Sequence, residues 1–268
     1  MSATTPESAV EIYSTAQAMA DAATKAILPH FRKADLGIDN KADGGFDPVT
    51  EADRAAELAM RAVLAERRPT DAILGEEYGH QAGTSGLTWV LDPIDGTRAF
   101  MAGAPTWGVL ISLDDDHGPR FGMIAQPYTQ ERFCGGLGYS EWAGPHGKGP
   151  LGVRATTMLS EAVLLTTFPE VGTPEEGAAF RRVADAVKLT RYGLDCYGYA
   201  LLAAGQVDLV IEAGLQRYDI AAPLAVIKAA GGIVTNWQGG AAHDGGQVIA
   251  AATPELHAQA LERLNASS

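Results

Sequence analysis

The stretch Trp89-Val90-Leu91-Asp92-Pro93-Ile94-Asp95-Gly96-Thr97 decides how this chain is read. An apolar run from Thr88 to Leu91 suits a buried strand; it stops at an aspartate, turns at a proline and offers a second aspartate ahead of Gly-Thr. Two carboxylates are thereby set on one tight turn. Hard divalent cations such as Mg²⁺ prefer carboxylate and carbonyl oxygens in octahedral geometry, so Asp92, Asp95 and the Ile94 carbonyl can share a metal site. Gly96 and Thr97 offer backbone N–H groups to an anion, the more so if a short helix begins there. The same residues also suit a plain Asp-Pro-x-Asp-Gly turn with solvated charges.

Working outward, three further acidic segments stand out. Leu74-Gly75-Glu76-Glu77-Tyr78-Gly79 ends a second short apolar run, Ala72 to Leu74, where adjacent glutamates ordinarily just face water. Asp47-Pro48-Val49-Thr50-Glu51-Ala52-Asp53 reads as a capped helix start, with Thr50 and Asp53 spaced as in a capping box. Tyr218-Asp219-Ile220-Ala221-Ala222-Pro223 reads as an apolar helix capped by Asp219 and ended at Gly231-Gly232. Taken singly, each has a structural explanation without a metal.

The chain of 268 residues allows one large α/β unit or two smaller domains, and 46% hydrophobic with 20% charged residues is ordinary globular usage. The net charge of −13 repels phosphate backbones and anionic lipid, which disfavours a nucleic-acid or membrane-surface binder. An acidic protein that handles phosphate needs metal ions. Cys134 and Cys196 lie far apart without CxxC spacing, so free thiols and a reducing compartment are expected. Met1 to Asp21 carries Glu7, Glu11 and Asp21 in place of a basic start and an apolar core, and no segment reaches the ~18 apolar residues of a membrane span. A cytoplasmic protein is the expectation.

Apolar residues at helical spacing predict a long first helix from Ser8 to Phe31, ending near Pro29, and a second from Thr50 to about Arg67. Thr106 to Leu113, Arg120 to Ala125 and Glu131 to Gly135 form a meander of antiparallel strands. The glycine-rich stretch Gly135 to Gly152 is the candidate boundary between an α+β half, 1–147, and an α/β half, 148–268, of one compact unit. Beyond it, strands Val163 to Thr166, Val187 to Thr190 and Val207 to Glu212 alternate with helices Pro174 to Ala186, Cys196 to Ala204, Ile220 to Ala230 and Pro254 to Leu264.

Taken together and in this order, the four acidic segments resemble the inositol monophosphatase family, lithium-sensitive, metal-dependent phosphomonoesterases, over nearly the whole chain. Asp92 to Thr97 resembles the family's first signature; Tyr218 to Pro223, continued to Gly232, resembles the second, with Tyr218 where the family usually has Trp. The resemblance implies a layered α-β-α-β-α sandwich and a homodimer. It implies one Mg²⁺ on Glu76, Asp92 and the Ile94 carbonyl and a second on Asp92, Asp95 and Asp219. A third, weaker ion near Glu77 would be reached through water, and Mn²⁺ is an alternative metal. By the same resemblance Thr97, polarised by Asp53, works with Glu76 to orient and deprotonate the attacking water. Gly96 and Thr97 grip the phosphate, and Lys41 and Asp47 match the loop that closes over the metals.

Gly193-Leu194-Asp195-Cys196 falls where the family meets the alcohol part of its substrate, and Glu212 ends a strand leading to the second signature. Asp195 replaces a small neutral residue of inositol-specific members, which favours a cationic ligand; its other reading is an N-cap of the following helix. The stretch from Arg191 to Leu215 resembles bacterial histidinol-phosphate phosphatases. The expected function is therefore Mg²⁺-dependent hydrolysis of L-histidinol phosphate, a small-molecule phosphate monoester, in histidine biosynthesis. Inositol or general sugar phosphatase is the alternative, a nucleotide 3′-phosphatase lacks a basic cluster for its second phosphate, and a non-catalytic metal-binding regulator is the reading from another class.

Overall fold

A computed structural model describes residues 6–33, 39–40 and 48–266. Helix α1 (Pro6–Ile27) buries Ile12, Ala16, Met19, Ala20, Ala23 and Ile27 along one stripe, the spacing of a helix with a single apolar face. It ends two residues before Pro29, near the expected end, because the residue preceding a proline is pushed out of the helical region. Two short paired strands, β1 (Asp39–Asn40) and β2 (Pro48–Val49), lead to α2 (Glu51–Arg67), which packs along α1.

The first large sheet contains β3 (Ala72–Gly75), β4 (Gly79–Gln81) and β5 (Thr88–Asp95), followed after a short helix α3 (Thr97–Ala102) by β6 (Gly108–Asp115), β7 (Gly118–Gln126) and β8 (Glu131–Gly136). Two more strands, β9 (Tyr139–Gly144) and β10 (Gly147–Pro150), complete it. Spatial order is β10-β9-β8-β7-β6-β5-β3-β4, antiparallel throughout except for the β3–β5 pair. The glycine-rich stretch expected to separate two halves is thus the edge of this sheet, and β10 runs across the 147/148 junction. Its glycines serve turns and close packing: a Cβ on Gly135 would stand 2.5 Å from Val226 Cα.

The second sheet and its helices run β11 (Val163–Thr166), α4 (Pro174–Ala184), β12 (Leu189–Tyr192), α5 (Asp195–Ala203), β13 (Leu209–Leu215), α6 (Arg217–Ala229), β14 (Ile233–Thr235), β15 (Gly246–Ala251) and α7 (Pro254–Leu264). Its order is β12-β11-β13-β15-β14; β11 pairs in parallel with β12 and β13, and the remaining pairs are antiparallel. Strands β14 and β15 are not among the elements expected from the sequence.

Contacts stack these elements as α1/α2, first sheet, α5/α6, second sheet, α4/α7, the expected layered sandwich. Three apolar clusters fill the spaces between layers. Helix α6, at the centre, is buried from Ile220 to Ile227, and Gly122 on β7 lets it approach: a Cβ there would meet the Ala222 carbonyl at 2.3 Å. This contact fixes the start of α6, and with it Asp219. Among the described residues no helix is long and apolar enough to cross a membrane.

Candidate active site

Asp92 and Asp95 are three residues apart on β5, a spacing that in a regular strand sends side chains to opposite faces. Against β6, however, Asp92 pairs with Leu110 and Asp95 with Gly108, so three steps on β5 oppose two on β6. One extra residue is bulged into β5, where Pro93 needs no ladder hydrogen bond, and both carboxylates turn the same way. The Ile94 N–H donates to Asp92 Oδ1 at 3.0 Å and fixes the turn. Strand β13 is bulged likewise beyond Glu212, which pairs with Val248 while Leu215 pairs with Gly246.

Helix starts deliver the other carboxylates. Asp53 lies in the first turn of α2 and accepts the Thr50 N–H at 2.8 Å; Asp219 lies in the first turn of α6 and accepts the Gln216 N–H at 2.6 Å. The expectation that Asp219 is itself the N-cap is corrected: Gln216 holds that position, and the aspartate reaches back to it from three residues inside. Asp95 Oδ2 accepts the Cys196 N–H at 2.6 Å, at the start of α5. Three helix N-termini therefore close on acidic side chains of one centre, and their dipoles favour the ionised forms.

Asp92, Asp95 and Asp219 each offer an oxygen, and the three lie within 4.8 Å of one another. Burial, then the charges of Glu76, Asp95 and Asp219, hold Asp92 well above the usual carboxylate range; burial, then Asp195 and Asp219, do the same for Asp95. Converging carboxylates that resist ionisation through mutual repulsion fit a hard divalent cation, which would relieve that repulsion. Asp53 is pushed up to about 6, chiefly by burial, with the Thr50 hydrogen bonds opposing and Glu76 adding to the rise. Its Oδ1 accepts from Thr97 Oγ1 at 3.4 Å, and the same hydroxyl lies 3.1 Å from the Ile94 carbonyl.

A cavity of about 490 Å³ opens over this centre, lined by Glu76, Asp95, Gly96, Thr97, Asp195, Glu212 and Asp219, with Arg98, Thr167, Phe168 and Tyr199 among its other walls. Asp92 and Ile94 are buried. Glu77 shares the turn of Glu76, and Gly193 is exposed and not among the residues that line the cavity, with its carbonyl 3.3 Å from Thr106 Oγ1. Lys41 and Asp47 lie outside the described residues.

Asp195 does not cap α5 from the N-cap position, which Leu194 occupies. In left-handed conformation (φ 47°), it turns its carboxylate toward Thr106 Oγ1, at 3.3 Å, and against Gly96, where a Cβ would sit 2.8 Å from Asp195 Cγ. Glu212 is buried and pushed up to about 7 by that burial; Thr167 N–H (2.7 Å), Thr167 Oγ1 (2.9 Å) and Thr166 Oγ1 (3.1 Å) donate to it.

One residue that the motifs did not reveal is Glu57. Fully buried on α2 and paired with Arg61 at 2.7 Å, it accepts the N–H groups of Glu77 (2.7 Å) and Tyr78 (3.2 Å), so it holds the turn that carries Glu76. Gly75 is required beside it, since a Cβ there would fall 2.0 Å from Glu57 Oε1. Its signal in the sequence is a glutamate four residues after Asp53, on the helix face shared with Ala52, Ala56 and Met60.

This layered fold around an acidic, cavity-lining centre defines a class of phosphatase, and the comparisons with known proteins agree. Residues 8–268 match the model of the inositol monophosphatase family, and the chain belongs to that family. It is 41% identical over 264 residues to the bifunctional phosphatase IMPL2, chloroplastic, of Arabidopsis thaliana, covering 92% of this chain and 73% of that one. It is 37% identical to the histidinol-phosphatase of Mycobacterium tuberculosis, covering 94% and 96% of the two chains. A solved inositol monophosphatase from Zymomonas mobilis superposes with a TM-score of 0.84 at 40% identity, covering 96% of this chain and 98% of that one. The protein is a phosphatase in a family of metal-dependent hydrolases.

Proposed function

We propose that this phosphatase hydrolyses L-histidinol phosphate to L-histidinol and phosphate with Mg²⁺. The observation that carries the reading is the placement of Asp195 and Glu212 in the cavity that also holds Glu76, Asp95, Thr97 and Asp219. Two acidic groups beyond the metal carboxylates match a phosphate ester whose alcohol part carries an ammonium and an imidazole. The relative of M. tuberculosis named a histidinol-phosphatase supports it.

Glu76, Asp92 and the Ile94 carbonyl would hold one Mg²⁺, and Asp92, Asp95 and Asp219 a second, with Glu77 near a third, weaker position. Such ions neutralise phosphoryl oxygens and make water a better nucleophile. Glu76 and Thr97 orient the water for attack on phosphorus, and the Thr97–Asp53 pair takes its proton. A carboxylate whose proton affinity is raised to about 6 suits that task near neutral pH. The amides of Gly96 and Thr97, at the first turn of α3, hold the phosphate. As the water oxygen bonds to phosphorus the P–O bond to the alcohol breaks, and histidinol leaves with a proton that balances the one given up by the water. Lys41 and Asp47 contribute to the metal site as the family resemblance implies, Gly193 borders the alcohol part, the buried, free thiols of Cys134 and Cys196 support a reducing, cytoplasmic setting, and the working unit is a homodimer.

The 40% identical Zymomonas protein named an inositol monophosphatase favours a second reading, inositol or sugar phosphates. A turnover screen of histidinol phosphate, inositol 1-phosphate, fructose 1,6-bisphosphate and an adenosine bisphosphate, with and without Mg²⁺, decides between them. Histidinol phosphate should give the highest kcat/KM. Asp195→Asn should raise its KM more than that of nitrophenyl phosphate, as expected for loss of a charge-assisted hydrogen bond of about 1.5 to 3 kcal/mol. A preference for inositol 1-phosphate, or equal losses on both esters, would overturn the histidinol assignment.

A further inference from the structure

Helix α6 opens with a residue that its own electrostatics disfavour. Arg217 is the first residue of the helix, where the positive end of the dipole repels a cation, and it precedes by two positions Asp219, whose proposed task is to bind one. Gln216, Tyr218 and Asp219 line the cavity over the acidic centre, but Arg217 is not among its lining residues. Its guanidinium goes to the first sheet. There Nη2 donates to Asp114 Oδ2 at 2.8 Å, and the exposed Asp244 carboxylate stands 4.0 Å from Nη1. Asp114 lies on β6, is fully buried, and accepts a second hydrogen bond from Ser112 Oγ at 2.5 Å, so the sheet end of the ion pair is fixed. Strand β6 is also the one against which the acidic turn is registered, since Leu110 lies opposite Asp92 and Gly108 opposite Asp95. Gly122 sets the depth of α6 at Ala222; the ion pair sets its first turn.

We propose that Arg217 is a positioning residue: through its ion pair with Asp114 it holds the first turn of α6 where Asp219 meets Asp92 and Asp95, and it thereby raises Mg²⁺ affinity in spite of its own positive charge. This rests on the reading of those three carboxylates as a metal site.

The sign of one measurement separates positioning from charge. Arg217→Met removes a positive charge near the ion, so Coulomb's law alone would tighten Mg²⁺, whereas loss of positioning weakens it. The Mg²⁺ dissociation constant of the folded protein, by calorimetric titration well below the melting transition, should rise about fivefold, less than the ~10- to 100-fold typical of a direct partner of a ligand. Arg217→Lys keeps the charge and a donor for Asp114, and should recover most of the affinity. If Arg217→Met does not fold, Arg217→Met with Asp114→Asn leaves no buried carboxylate unpaired and should show the same weakening. An unchanged or lower dissociation constant overturns the proposal, even where the melting temperature falls, because the pair would then be structural only. Asp219→Asn separates this from the metal reading. If it leaves Mg²⁺ binding unaltered, that reading fails and the role of Arg217 falls with it; if it weakens binding while Arg217→Met does not, only the positioning role is overturned.

Discussion

Asp53 divides its carboxylate between two elements: one oxygen accepts the Thr50 N–H that opens α2, and the other lies 3.4 Å from Thr97 Oγ1 at the opening of α3. A single side chain thus holds a helix start and aligns the hydroxyl proposed to handle the attacking water. The cap is local in sequence, whereas the contact with Thr97 spans 44 residues.

Thr97→Ala and Asp53→Asn should each lower kcat by roughly 10²- to 10⁴-fold with a modest change in KM, the range for general-base assistance. Because the two act as a unit, the double variant should lose little more than the worse single one. Steady-state kinetics at saturating Mg²⁺ measure this cycle. Losses that multiply would mean that the two side chains serve separate steps.

Glu57→Ala should destabilise the fold by about 3 kcal/mol, since it deprives the largely buried Arg61 guanidinium of its carboxylate partner and strips the Glu77 and Tyr78 N–H groups of their acceptor. Glu57→Gln keeps an acceptor but weakens the clamp. Its expected signature is a higher Mg²⁺ concentration for half-maximal activity, because the turn under Glu76 loosens. Denaturant titration and a Mg²⁺ titration check the two variants; an unaltered Mg²⁺ requirement in Glu57→Gln would show that other contacts hold the turn.

In the metal-free protein Asp92, Asp95, Asp53 and Glu212 all bind protons more tightly than they do in an unfolded chain. Stability from such raised groups is present at low pH and lost as pH rises, through about 6 for Asp53 and about 7 for Glu212. The melting temperature in chelator should therefore fall between about pH 5 and about pH 8. Mg²⁺ should oppose the fall most at the alkaline end, where ligands are already deprotonated. Thermal scans across that range test it, and parallel slopes with and without Mg²⁺ would place the ion away from these groups.

The turn at Asp92 and Asp95 was legible because its chemistry lies within a few adjacent residues, and the capping-box spacing of Thr50 and Asp53 was legible for the same reason. The four acidic segments, taken in order, pointed to the sandwich fold. What composition hid was β9 and β10, which form inside the glycine-rich stretch read as a boundary, and β14 and β15, which flank the turn-rich stretch Asn236 to Gly245. Glu57 was hidden because its partners are amides about twenty residues away, visible only once α2 lies against the turn after β3. Asp195 as a helix cap was a sound local reading; tertiary contact overrode it, with Asp95 taking the amide that starts α5 while Asp195 turns to Thr106.

The hydrogen bond from Cys196 to Asp95 joins the helix that carries Asp195 to the turn proposed to hold metal. On the proposed reading, in which α5 receives the alcohol part and Asp95 serves the ion, any movement of α5 shifts an amide against that carboxylate. The two affinities then share one coupling free energy, and linkage makes it reciprocal: an ester that draws α5 toward Asp95 changes the hold on the metal by the factor with which the metal changes the hold on that ester. On that reading the metal requirement is a property of the enzyme–substrate pair, and an apparent Mg²⁺ affinity measured with one phosphate ester should not transfer to another.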